Sequence, residues 1–115
     1  MFQKIAFSIM NRDKKLYDIE VLGFDVKVID YTTEFIDRQF PPGEVTVDVI
    51  FDWFEERCVP RTRKNIEEAL SYYGLKEYDP YDIVRVTHGT LHGDFTWIKW
   101  EGEDITYEDV KIHYQ

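Results

Sequence analysis

The chain has 115 residues, 23 of them Asp or Glu against 14 Lys or Arg, for a formal charge of −9. That length suits one compact domain, residues 1–115, and a content of 43% hydrophobic and 17% aromatic residues excludes wholesale disorder. The acidity repels phosphate backbones and anionic headgroups, so neither nucleic acid nor a membrane is the expected main partner; a single cysteine, Cys58, excludes a disulfide framework, a Cys-x-x-Cys pair and a set of zinc thiolates.

No stretch approaches the ~20 consecutive apolar residues of a membrane span. The opening MFQKIAFSIMNRDKK brings charge in where a signal peptide would continue its apolar region, which predicts a cytoplasmic protein. Residues 2–10 alternate as a strand, with Ile5, Phe7 and Ile9 on one face and Lys4, Ala6 and Ser8 on the other. Asn11, Arg12 and Asp13 read as a turn. Tyr17, Ile19 and Val21 then alternate with Asp18 and Glu20, after which the apolar phase moves to Leu22, Phe24, Val26 and Val28. A period-2 pattern cannot change face inside a regular strand, so Gly23 marks a tight turn or bulge, and an N-terminal antiparallel meander follows.

Phe40-Pro41-Pro42-Gly43 ends the pattern, because proline supplies no backbone donor and restricts the residue before it. Thr46 is a candidate N-cap, Asp48 lies in the first helical turn, and Val47, Ile50, Phe51 and Phe54 are spaced for one apolar face of a helix that stops by Val59, before Pro60. A second helix is predicted over 62–73, with Ile66, Ala69, Leu70 and Tyr73 inward, Gly74 just past its end, and Arg63–Glu67 and Lys64–Glu68 paired four apart on its exposed face. Asp79-Pro80-Tyr81-Asp82 announces a third helix ending at Gly89. Residues 95–100 are aromatic and β-branched, 101–104 form an acidic turn, and Val110, Ile112 and Tyr114 alternate with Lys111 and His113. These elements predict an α+β fold: a meander, two to three central helices, and a C-terminal β-hairpin pairing back on the sheet.

Charge is unevenly spread. Residues 1–56 hold six bases and twelve acids and residues 65–115 four bases and eleven acids, whereas residues 57–64 hold Arg57, Arg61, Arg63 and Lys64 with no acid. At the junction of two helices this island is a candidate anion site, to be weighed against arginines that merely tie the helices to neighbouring carboxylates. His88 and His92 with Asp94 could suggest a metal or a general base, but the intervening glycines favour a turn. Cys58 reads as a buried helix-end thiol rather than a nucleophile. No phosphate-cradling, dinucleotide or serine-hydrolase motif is present, so neither enzyme activity nor a cofactor is expected. Tyr78 and Tyr81, flanked by Glu77, Asp79 and Asp82, are the aromatics most expected at the surface, where such a ridge would meet a basic protein groove.

From Pro41 to about residue 110 the order of motifs resembles a family of small HipA-like regions encoded in Firmicutes chromosomes and mobile elements. The matching residues are Pro42-Gly43, then Trp53 and Arg57 on a helix, Pro60 and Arg63, Gly74-Leu75, the spaced set Gly89, Asp94, Trp97 and Ile98, and finally Glu108-Asp109-Val110. In longer relatives a kinase-like body follows this region, and its nucleotide and catalytic motifs are not among the residues here, so the resemblance implies an accessory module that binds or regulates. With the acidity, the expectation is a non-catalytic protein that regulates or inhibits a basic partner, such as a nucleic-acid-handling effector or a toxin; an anti-CRISPR or anti-restriction inhibitor and an antitoxin-like regulator fit equally. The alternatives are a phosphate-ligand binder or small enzyme using Arg57, Arg61, Arg63 and Lys64, with His88 or His92 as acid–base group, and a nucleic-acid binder using the same basic cluster.

Overall fold

The computed structural model describes residues 4–91 and 93–110. Strands β1 (Lys4–Asn11), β2 (Lys14–Leu22) and β3 (Asp25–Asp30) form the expected meander. Helices α1 (Val47–Glu56), α2 (Ile66–Tyr72) and α3 (Pro80–Thr87) follow, then strand β4 (Thr96–Trp100) and a helical turn α4 (Tyr107–Val110). The chain is α+β, with an antiparallel sheet in the order β3-β2-β1-β4.

The meander turns where the alternation breaks. Arg12 takes a left-handed conformation between Asn11 and Lys14, and Gly23, also left-handed, lies between the paired Leu22 and Asp25. Phe7, Ile9, Tyr17, Ile19 and Val21 line the inner face of the sheet, joined by Ile98 and Trp100 of β4 and partly by Val26 and Val28 of β3. One departure from strict alternation is Leu16, which is as buried as Tyr17 beside it. The register shifts between Ile9 and Met10, and an extra residue at such a bulge lets two successive side chains leave solvent.

Local signals set the helix ends. The Thr46 hydroxyl accepts from Val49 N–H at 3.3 Å, and the Asp79 carboxylate accepts from Tyr81 and Asp82 N–H at 2.9 and 3.3 Å, with Pro80 opening α3. Past α2, Gly74 has φ +78°, its N–H reaches Ser71 O and that of Leu75 reaches Leu70 O, a Schellman end. Ile50 and Phe54 are buried as expected, but Trp53 joins them while Phe51 stays 40% exposed. The indole of Trp53 is accommodated because its N–H finds Gln39 Oε1 at 3.2 Å.

Two expectations need correction. The second helix starts at Ile66, not at residue 62, because Asn65 sits in the left-handed region, which interrupts a right-handed helix; residues 61–64 are turns instead. The Arg63–Glu67 and Lys64–Glu68 pairs therefore do not share a helix, and no ion pair forms between them among the described residues. At the C-terminus β4 pairs back on β1 as anticipated, but Val110 belongs to a helical turn rather than to a second hairpin strand. There it packs with Met10 and Trp97 on the outer side of the sheet, and Ile112 and Tyr114 lie outside the described residues.

The sheet edges differ. On β4, groups pointing away from β1 are bound by other elements: Thr96 O accepts from Arg57 Nη2 at 2.8 Å, Ile98 N–H reaches His88 O at 2.7 Å, and Trp100 N–H reaches Glu103 Oε1 at 2.8 Å. On β3, the bond from Tyr31 N–H to Leu16 O at 2.9 Å fixes the alternation, so odd-numbered residues face β2 and Val26 and Val28 direct their N–H and C=O outward. Among the described residues no strand pairs with that side.

Candidate functional site

The basic island does not converge. Arg57, at the C-cap of α1, is buried, and its guanidinium uses every nitrogen: Nε donates to Gly89 O at 2.8 Å, Nη1 and Nη2 to the two oxygens of Asp94 at 2.7 and 2.8 Å, and Nη2 again to Thr96 O. With four of its five N–H groups bound to a carboxylate and two carbonyls, and the side chain buried, Arg57 leaves the candidate anion site. It joins the end of α1, the turn after α3 and the start of β4. Gly89 completes the knot: it has φ +64°, and a Cβ there would stand 3.0 Å from Ile98 Cδ1 and 3.5 Å from Arg57 Cβ. Arg57, Gly89, Asp94 and Ile98, far apart in the sequence, thus meet in one structural knot.

The other three bases sit on the surface. Arg61 lies over the Tyr78 ring, 4.3 Å from its centroid, and 3.8 Å from Glu55. Arg63 and Lys64 are exposed in the turns before α2 and make no ion pair among the described residues. The histidine and carboxylate of the 88–94 turn diverge as well: His88 Nε2 is 2.9 Å from Glu103 Oε2, while Asp94 serves Arg57. His92 lies outside the described residues. Among the described residues no three His, Cys, Asp or Glu side chains gather to hold a metal ion.

Cys58 is buried and its thiol donates to Phe54 O at 3.1 Å. Burial first, then the negative charges of Glu55 and Asp79, push its pKa up to about 12. The thiol thus stays protonated at the buried end of α1, the helix-end placement the sequence suggested.

The acidic-aromatic ridge is also rearranged. Glu77, Asp79 and Asp82 are exposed as expected, but Tyr78 and Tyr81 turn inward. The Tyr78 hydroxyl donates to Val59 O, and burial raises its pKa. Tyr81 packs on Phe54 and Trp100, with ring centroids 6.0 and 5.8 Å away. Each ring gains apolar contact by closing the helix layer, which a sequence flanked by acids does not reveal.

The exposed aromatic of this layer is Phe51. On α1, Asp48, Phe51, Asp52, Glu55 and Glu56 fall at i, i+3, i+4, i+7 and i+8 and are all exposed, and the helix contains no base. Phe51 lies 6.5 Å from Tyr81 of α3, whose N-cap is Asp79 and whose first turn carries Asp82. The outer face of the sheet contrasts with this: a shallow trough of about 410 Å³ carries Lys15, Lys27 and Lys99 among Asp18, Glu20 and Glu101. At its centre Asp18 accepts from Ser8, from Tyr31 at 2.8 Å and from Lys15; burial opposes its ionisation, but these donors prevail and lower its pKa.

Sequence pattern did not single out the exposed apolar residues Phe24, Phe35, Ile36 and Tyr72, each more than four-fifths accessible. The adjacent pair Phe35-Ile36, in a 3-10 turn at Phe35–Asp37, is neither strand- nor helix-periodic, and that lack of period was the available signal. Compared with protein-family models, curated protein sequences and solved structures, the chain matches none. No helix among the described residues is long and apolar enough to cross a membrane.

Proposed function

We propose that this chain is a non-catalytic interaction protein that occupies a basic surface of a partner protein, using the exposed side of α1 and the adjoining first turn of α3. The observation that carries this reading is the α1 stripe: four carboxylates around a partly exposed Phe51 on a helix that contains no base, of which, among the described residues, only Glu55 is met from outside the helix, by Arg61 at 3.8 Å, and which Asp79 and Asp82 continue. Such a surface steers a basic partner by charge, and the ring supplies the apolar anchor that charge alone lacks. Regulation or inhibition of the partner, by masking the surface it uses for nucleic acid or for a target, is the corresponding role, in keeping with the accessory module that the HipA-like resemblance implies. The phosphate-ligand and nucleic-acid alternatives lose support from the commitment of Arg57 to Asp94.

The test is affinity capture from the source cells, read by mass spectrometry at low and high salt, with the wild-type chain and with D48K/D52K and F51S. Partners retained at low salt, released at high salt and lost with D48K/D52K support the reading, since exposed charges act over about a Debye length of 8–10 Å at physiological salt. Partners indifferent to both salt and charge reversal refute it.

A further inference from the structure

We propose that the open edge of the sheet is a self-association surface, on which β3 pairs antiparallel with β3 of a second copy about a twofold axis at Val26. This goes beyond the role proposed for the helix layer and uses the opposite end of the molecule's surface chemistry: backbone pairing rather than acidity.

The outward N–H and C=O groups of Val26 and Val28 form a row that β-strand addition satisfies. Natural edges are blunted by proline, by charged side chains such as lysine, by a bulge or by a covering segment, and of these β3 carries the charges of Asp25, Lys27 and Asp30. β3 contains no proline, its register with β2 is regular, and no described segment pairs with its free side. Beside it runs a groove of about 510 Å³ whose apolar lining is Phe24, Val26, Val28 and Val45. Phe24 itself is 86% exposed, at the mouth of that groove.

Side-chain chemistry selects a second copy and a register. A twofold axis at Lys27 sets Lys27 against its own counterpart, which repels. An axis at Val28 sets Lys27 against Ile29 and Asp25 against Tyr31, with no ion pair. An axis at Ile29 sets Val28 against Asp30 and Lys27 against Tyr31, again with no ion pair, and Asp30 already binds the Thr32 N–H and hydroxyl. An axis at Val26 sets Asp25 against Lys27 of the second copy, twice by symmetry, as a directly facing opposite-charge pair. In that register Val26 exchanges backbone bonds with its counterpart, and Phe24 faces Val28 of the second copy on the side of the groove. Each copy gives its Phe24 to the groove of the other, which is the reciprocity an isologous interface requires.

The test is sedimentation velocity over a wide concentration range at about 0.15 M salt, where repulsion between two acidic copies is screened, together with amide hydrogen exchange of the unmodified chain. The expected result is a concentration-dependent dimer, with exchange at Val26 slowing as dimer forms. D25K and K27D should each weaken association roughly tenfold through two like-charge contacts, the D25K/K27D swap should restore it, and F24S should abolish it. A chain that stays monomeric with freely exchanging Val26 overturns the proposal. So does protection of that amide that is independent of concentration, because a segment of the same chain would then cover the edge. A dimer insensitive to D25K, K27D and F24S overturns it too. The exchange measurement needs no variant and therefore decides even if a substituted chain fails to fold.

Discussion

The two edges of one sheet solve the same problem in opposite ways. At β4, an arginine, a helix-terminal carbonyl and a glutamate occupy outward backbone groups; at β3, Val26 and Val28 present theirs without a described partner. The β4 edge is held by residues from three elements and therefore belongs to the folding core, whereas the β3 edge can change without disturbing that core. Stability should consequently concentrate at the β4 side and binding at the β3 side.

Substitutions should make that asymmetry measurable. Asp94→Ala leaves the buried Arg57 charge without its carboxylate and should cost about 2 kcal/mol, less than a fully buried pair because Asp94 is partly solvated, read as a fall in the urea midpoint with an unchanged slope. Arg57→Met combined with Asp94→Ala should cost less than the two single changes added, because the second removes an interaction already lost. Gly89→Ala forces a left-handed alanine against Ile98 and should cost about 1–2 kcal/mol by the same assay. At the open edge, Phe24→Ser should shift stability by no more than about 0.5 kcal/mol, because the removed ring is mostly in solvent. A loss at Phe24 as large as that at Asp94 would erase the distinction between the edges.

Titration gives a finer comparison. Asp18 has a lowered pKa in the folded chain, so its contribution is complete above the ordinary value of 3.8 and is lost as pH falls below it through the depressed folded value. Asp18→Asn should flatten the acid limb of a stability–pH curve. Cys58 has the opposite sign: its folded pKa is raised from 9.0 to about 12, so its contribution is complete below 9.0 and is lost as pH rises across that interval. At pH near neutrality a thiol reagent should modify Cys58 only as fast as the chain opens, and rapid labelling of the native protein would place the thiol in a different setting.

Features that depend on neighbours in sequence were legible. Thr46 and Asp79 cap the expected helices, Gly74 closes α2, and Gly23 turns the chain where the apolar phase changes, because each acts within four residues of itself. Features that depend on distant partners were not. Arg57 and Asp94 are 37 positions apart, and nothing in the run Arg57 to Lys64 distinguishes the arginine that goes inward from those that stay out. Tyr81 is likewise drawn inward by Phe54 and Trp100, residues of other elements, so its acidic flanks misled. Conversely, the start of α2 was local but set by a left-handed Asn65, which periodicity does not register.

The place of β4 in the sheet also bears on how the chain is made. Phe7 pairs with Trp100, so the central strand meets its second neighbour only after about ninety further residues have been synthesised. The hairpins of the meander close over short spans and are available to a chain still attached to the ribosome, while the other flank of β1 stays bare until Thr96–Trp100 emerges. During that interval the nascent protein has a vacancy shaped for the strand Thr-Trp-Ile-Lys-Trp.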